Sequence, residues 1–270
     1  MLDIKKKKIN NRPIGVFDSG VGGLSIFVEL KKLLPHENFV FFADQKNVPY
    51  GEKSKKELVG FMYKVVDYLK DKHDIKMFVI ACNTATCFTI KGLRARYAMP
   101  MVGTEPAVKP ASQGTKTGTI AIISTPATSK SKTVKKLIND YGNGITVLNI
   151  GCKNLENTVE KGNLENPEVN KLLRKYLKEV KNSNTDQLVL GCTHYPFLKI
   201  AIEKILGPSV KLVDSGQAIA RHTRSLLQTH KILSKGKGTT AYFTTGSAKK
   251  FSKVASELLK HKIKANKIKL

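Results

Sequence analysis

Phe78-Val79-Ile80-Ala81-Cys82-Asn83-Thr84 and Leu188-Val189-Leu190-Gly191-Cys192-Thr193-His194 are two versions of one pattern. Each is an apolar run of strand length, a small residue, a cysteine and two polar residues. They lie 110 residues apart (192 − 82), the span of one small α/β domain. A second echo accompanies them. Val16-Phe17-Asp18-Ser19-Gly20 recurs as Leu212-Val213-Asp214-Ser215-Gly216, again an apolar run followed by a turn and a helical pattern. Two echoes in comparable contexts predict an internal duplication.

Strand-like and helix-like stretches alternate outward from these runs. Ile14–Phe17, Phe39–Phe42 and Met77–Ala81 read as strands. Helical spacing from Gly23 to Leu34 separates the first two. Ser54-Lys55-Lys56-Glu57 is a capping box, and Leu58, Phe61, Met62, Val65, Val66 and Leu69 continue it as one apolar face. The pattern restarts with strands at Thr119–Ile123, Ile145–Ile150, Gln187–Leu190 and Val210–Val213. It closes with a strand at Ala241–Thr244 and a helix carrying Phe251, Val254, Leu258 and Leu259. Repeated βα units imply parallel sheets covered by helices, with sites at the carboxyl ends of strands.

Composition narrows the class. The chain has 270 residues, 41% hydrophobic and 25% charged, enough for two globular domains. No apolar run reaches the length of a membrane span. The lysines at 5–8 are not followed by an apolar core, so no secretion signal is read and a cytoplasmic location is expected. Residues 1–11 are read as a mobile basic tail. The net charge of +26 invites a search for nucleic-acid motifs. No zinc-finger spacing, RNA-recognition motif or basic region with heptads is present, so the charge reads as a lysine-rich surface and not as a nucleic-acid site.

Four cysteines, at 82, 87, 152 and 192, form no C-x-x-C pair and no metal spacing with histidine. Cys87 and Cys152 read as packing residues. Cys82 and Cys192 sit where a strand hands over to a helix, and unpaired N–H groups at a helix start favour a thiolate. Duplicated lobes would set the two thiols on opposite sides of one cleft. One thiolate could then take a proton from one face of a carbon while the opposing thiol returns a proton to the other face. Asp18 and Ser19 have an alternative as simple helix caps, His194 as an ordinary core histidine, and Tyr50-Gly51 as a turn after Pro49.

The chain resembles the glutamate racemases from about Ile14 to Leu259. The resemblance is carried by Gly15-Val16-Phe17-Asp18-Ser19-Gly20-Val21-Gly22-Gly23-Leu24, Pro49-Tyr50-Gly51-Glu52-Lys53-Ser54, Ala81-Cys82-Asn83-Thr84-Ala85, Gly191-Cys192-Thr193-His194-Tyr195-Pro196 and Val213-Asp214-Ser215. Tyr242-Phe243-Thr244-Thr245-Gly246 is similar to the family's last strand.

The resemblance implies two flavodoxin-like parallel-sheet α/β domains related by a pseudo-two-fold axis, with the active site between them. The first lobe would comprise 12–104 plus 211–270, the second 105–210. It implies Cys82 and Cys192 as catalytic acid–bases, Cys82 acting on D-glutamate and Cys192 on L-glutamate. Asp18 would assist Cys82, and His194 would assist Cys192. Glu160 is the implied glutamate near the second cysteine, with Glu156 its competitor in a stretch less apolar than the family's. Asp18, Ser19, Tyr50, Gly51, Asn83, Thr84, Thr193 and His194 would contact substrate. No pyridoxal phosphate, metal or nucleotide is implied, and a homodimer is the assembly the family suggests. The implied product is D-glutamate for peptidoglycan. Two alternatives stay open: racemisation of aspartate or another acidic amino acid, and a non-catalytic ligand- or nucleic-acid-binding role.

Overall fold

The computed structural model describes residues 10–162 and 164–270. Among the described residues the strands are β1 (Ile14–Asp18), β2 (Phe39–Ala43), β3 (Met77–Ile80), β4 (Met101–Gly103), β5 (Thr119–Ser124), β6 (Thr146–Gly151), β7 (Gln187–Leu190), β8 (Lys211–Val213), β9 (Thr240–Thr244) and β10 (Ala265–Lys267). They form two sheets, in the orders β10-β9-β2-β1-β3-β4 and β6-β5-β7-β8, with every pairing parallel. The order β2-β1-β3-β4 recurs as β6-β5-β7-β8, so the two lobes share one winding.

The apolar runs explain the strands. Every residue of β1, β2, β3 and β7 is buried, as expected where helices cover both faces of a parallel sheet. Helices α1 (Leu24–Leu33), α2 (Lys55–His73) and α3 (Asn83–Arg96) wrap the first sheet. The second lobe carries α4 (Val108–Gly114), α5 (Pro126–Ser129), α6 (Lys132–Tyr141), α7 (Leu155–Glu160), α8 (Pro167–Lys181) and α9 (Lys199–Leu206). The chain returns through α10 (Gly216–Thr229) and ends with α11 (Ala248–Leu259) and β10. The Ser54/Glu57 capping box forms as read: Glu57 donates its N–H to Ser54 Oγ, and its carboxylate accepts from the Ser54 N–H.

Three expectations need correction. The return to the first lobe falls after Val213 and not at Lys211, because β8 pairs with β7 in the second sheet. Residues 1–9 of the expected basic tail lie outside the described residues, but Asn10 and Asn11 are tied down. The Lys76 ammonium donates to the Asn10 carbonyl at 2.7 Å, and Ser234 Oγ donates to Asn11 Oδ1 at 2.7 Å. Finally, the two Asp-Ser-Gly stretches are not equivalent by the winding. Asp18 ends β1, whereas Asp214 follows β8, the counterpart of β4. Their likeness is local: Gly20 and Gly216 each donate an N–H to the preceding aspartate's Oδ1 at 2.8 Å.

Candidate active site

The cysteine echo does follow the winding. β3 and β7 occupy the same place in their sheets, and Cys82 and Cys192 each stand two residues past the strand end. Both thiols line one cavity between the lobes, together with Ser19, Tyr50, Thr84, Thr193 and His194. Val48, Pro49, Gly51, Thr125 and Glu156 complete its wall. The cavity measures about 20 Å³, a size that admits a water molecule and not an amino acid.

Cys82 caps α3. Its sulfur accepts the Ala85 N–H at 3.4 Å and lies 3.7 Å from Ser19 Oγ. Cys192 differs, because the chain after it makes a 3-10 turn, Tyr195–Leu198, before α9 begins. Its partner is a side chain: Cys192 Sγ lies 3.6 Å from His194 Nδ1. The sequence-based expectation that helix starts favour both thiolates is therefore corrected. Only Cys82 has an α-helix start, and burial outweighs it there, pushing the thiol's pKa up, with the nearby Asp18 charge adding to the rise. Burial also pushes the Cys192 thiol up, and His194 opposes that rise.

His194 joins a relay that crosses between lobes. Its Nε2 lies 2.7 Å from Glu160 Oε1, and the same carboxylate oxygen accepts the Val21 N–H at 2.7 Å. Gln45 Nε2 donates to Glu160 Oε2 at 2.8 Å. Burial works against charge on both partners. The hydrogen bonds and charges around them win, holding Glu160 below its ordinary pKa and His194 well above its own. With Glu160 ionised, Nε2 carries a proton toward it and Nδ1 faces the Cys192 sulfur. Two glycines make the close approach feasible: a Cβ on Gly22 would strike the His194 ring, and one on Gly20 the Glu160 carboxylate.

Asp18 stands behind the cavity wall. It is fully buried and accepts from the Gly20 N–H at 2.8 Å and from Thr193 Oγ1 at 3.1 Å. Burial raises its pKa to about 6, against the lowering pull of His194. Tyr50 donates its hydroxyl to Asp44 Oδ2 at 2.7 Å, which fixes the ring on the wall. Thr84, Thr125 and Thr128 form a mutual hydroxyl cluster with 3.0 Å contacts.

Of the residues named from sequence, Cys82, Cys192, Ser19, Tyr50, Gly51, Thr84, Thr193 and His194 meet at the cavity. Asp18 and Glu160 support it from behind. Asn83 borders an adjoining recess, with Thr104 and Asp214, that shares Cys192 and Thr193 with the cavity. Gln45 and Thr125 were missed. Neither belongs to a motif with its own chemistry, and only the spatial meeting of the lobes reveals them. Cys152 is fully buried, as a packing residue should be, and Cys87 is partly exposed. Among the described residues no His/Cys/Asp/Glu group is arranged to hold a metal ion, and no helix is long and apolar enough to cross a membrane.

A family model described as Asp/Glu/Hydantoin racemase matches residues 25–223. A glutamate racemase of Herpetosiphon aurantiacus is 37% identical over 248 residues, which is 91% of this chain and 97% of that protein. The crystal structure of a glutamate racemase isoform from Bacillus anthracis aligns with a TM-score of 0.88 at 32% identity, covering 97% of this chain and 98% of that one. A glutamate racemase from Francisella tularensis, solved in complex with D-glutamate, aligns with a TM-score of 0.83 at 31% identity, covering 96% and 98%.

Proposed function

The chain belongs to the Asp/Glu/hydantoin racemase family, and from that premise we propose that it interconverts L- and D-glutamate with Cys82 and Cys192 as the two bases. The observation that carries this reading is the pair of thiols on one cavity, one from each lobe. Glutamate is favoured as substrate because the relatives that match over nearly the whole chain are glutamate racemases.

The proton path is simple to balance. With D-glutamate bound, the Cys82 thiolate takes the α-proton. The C–H bond breaks, an S–H bond forms, and the electron pair is left on the α-carbon and its carboxylate. The Cys192 thiol then gives its proton to the opposite face and becomes a thiolate. From L-glutamate the roles reverse. Each sulfur has a partner suited to hold its proton between turns. His194, backed by Glu160, serves Cys192. Asp18, with a pKa of about 6, serves Cys82. The Ala85 N–H steadies the Cys82 thiolate. Hydroxyls of Ser19, Thr84 and Thr125 offer donors for the substrate carboxylates.

The family product, D-glutamate, serves peptidoglycan synthesis. We place the reaction in the cytoplasm and expect a homodimer, both from the family resemblance. Incubation with L-glutamate in deuterated water tests the chemistry directly. Deuterium at the α-carbon with formation of the D-enantiomer is expected. Cys82→Ala and Cys192→Ala should each abolish racemisation while leaving the far-ultraviolet circular dichroism unchanged. Full activity in either variant would refute the two-base assignment.

A further inference from the structure

Gln45 does not line the cavity, yet its side chain reaches the relay behind it. It opens the 3-10 turn Gln45–Asn47 that follows β2, and the backbone is held on either side. The Asp44 N–H donates to the Asp18 carbonyl at 3.0 Å, and the Lys46 N–H to Thr245 Oγ1 at 3.0 Å. A Cβ on Gly246 would lie 2.8 Å from the Gln45 Cβ, so glycine there leaves room for the Gln45 stem. The amide then has one workable orientation. The Gly246 N–H donates to Thr244 Oγ1 at 3.1 Å, and the Thr244 hydroxyl donates to Gln45 Oε1 at 3.2 Å. The Gln45 NH2 therefore faces Glu160 Oε2, 2.8 Å away in the other lobe. Turned over, the amide would set its oxygen against a carboxylate and take the acceptor from the Thr244 hydroxyl.

We propose that Gln45 is a positioning residue for the Cys192 half of the reaction: its amide donor fixes the Glu160 carboxylate so that Oε1 stays turned toward His194. This deepens the racemase reading and rests on it. Glu160 Oε1 is shared by His194 Nε2 and the Val21 N–H, whereas on Oε2 the donor among the described residues is Gln45. Each link from Gly246 through Thr244 and Gln45 donates toward the carboxylate, so the chain favours an ionised Glu160 that can only accept. Burial opposes that charge, and the Gln45 bond is one of those that hold it. The influence on Cys192 passes through Glu160 and His194, since Gln45 is no part of the cavity wall. It therefore acts on the rate of proton transfer and not on the binding of substrate.

The test reads kcat and KM for glutamate on wild-type protein, Gln45→Met and Gln45→Glu, with thermal melting as the check on folding. Gln45→Met keeps the length and removes the donor. Its kcat should fall by about tenfold or more while KM stays within about twofold. In a Glu160→Gln background the same change should cost less than about twofold, because the charge it serves is already gone. Gln45→Glu introduces a donor that titrates. Protonated, its hydroxyl still donates to Glu160; ionised, it repels it. Its kcat should therefore fall with rising pH along a limb that neither wild type nor Gln45→Met shows. Should Gln45→Met fold poorly, Thr244→Val removes the hydroxyl that orients the amide and should lower kcat in the same sense, with KM unchanged. An unchanged kcat in these variants overturns the proposal. So does a Gln45→Glu profile parallel to wild type, or an equal loss with and without the Glu160 charge. Should the wild-type chain fail to racemise glutamate, the racemase reading falls by itself. Alkylation of Cys192 by iodoacetamide, followed by peptide mass spectrometry, then judges the relay, because the thiolate is the form that reacts. Slower labelling in Gln45→Met than in wild type upholds it, and equal or faster labelling overturns it.

Discussion

Replacing Glu160 with glutamine isolates the charge of the relay while keeping its shape. The amide oxygen can still accept from Val21 N–H and His194 Nε2–H. Its NH2 then meets the Gln45 amide, which can turn only by disturbing its 3.2 Å bond from Thr244. The larger effect is electrostatic. A hydrogen bond to a charged group contributes about 1.5–3 kcal/mol. If that energy holds His194 ready for Cys192, its loss lowers kcat/KM by about 10- to 150-fold. The two enantiomers have equal free energies, so kcat/KM must fall equally in both directions. Stability carries a second signature. The raised His194 pKa contributes stability below its ordinary value of 6.5, lost as pH rises through the folded value. The depressed Glu160 pKa contributes stability above its ordinary 4.5, lost as pH falls through the folded value. Both are in force together between those limits and persist upward until His194 deprotonates. There Glu160→Gln should lower Tm by about 4–10 °C. Racemisation followed by circular dichroism and thermal melts across pH check both parts. A kcat/KM within about twofold of wild type, with an unshifted Tm near pH 6, would refute the coupling.

Three further outcomes follow from the geometry. The Asp18 carboxyl titrates at about 6, so kcat/KM should climb as pH rises through that value; a flat profile from about pH 5 to 8 would remove Asp18 from the proton path. The buried Lys76–Glu37 pair, 2.6 Å apart, also ties down the carbonyls of Asn10 and Ile232. Lys76→Ala strands the Glu37 carboxylate and should cost about 3–5 kcal/mol in urea unfolding, with a loss below about 1 kcal/mol counting against it. Gly22→Ala drives a Cβ into the His194 ring and should depress kcat and lower Tm together, because a displaced ring gives up its bond to Glu160; an unchanged kcat and Tm would count against it.

Much of this site is written in short-range signals. Cys82, Cys192, Asp18 and His194 each stand just past an apolar run, where strand ends bring polar groups together, and the parallel lobes place them as read. The elements that went unread are short or polar. β4 is three residues, and β10 is Ala265-Asn266-Lys267, a pattern that pairs with β9 only because β9 is already there. The Asp-Ser-Gly echo misled because a two-residue turn needs the same residues wherever it occurs. The burial that opposes the thiolates went unread because helix-start chemistry is visible in a sequence and depth of burial is not. Gln45 and Glu160 are 115 positions apart, and no local pattern announces that they meet.

The catalytic chamber, at about 20 Å³, is smaller than its cargo. If glutamate is the substrate, the walls must part to admit it and again to release product, so each cycle would contain two mechanical events besides the bond-making. An enzyme built this way has its tempo set partly by how readily it breathes, and a viscous medium would slow it even though no chemical group had changed.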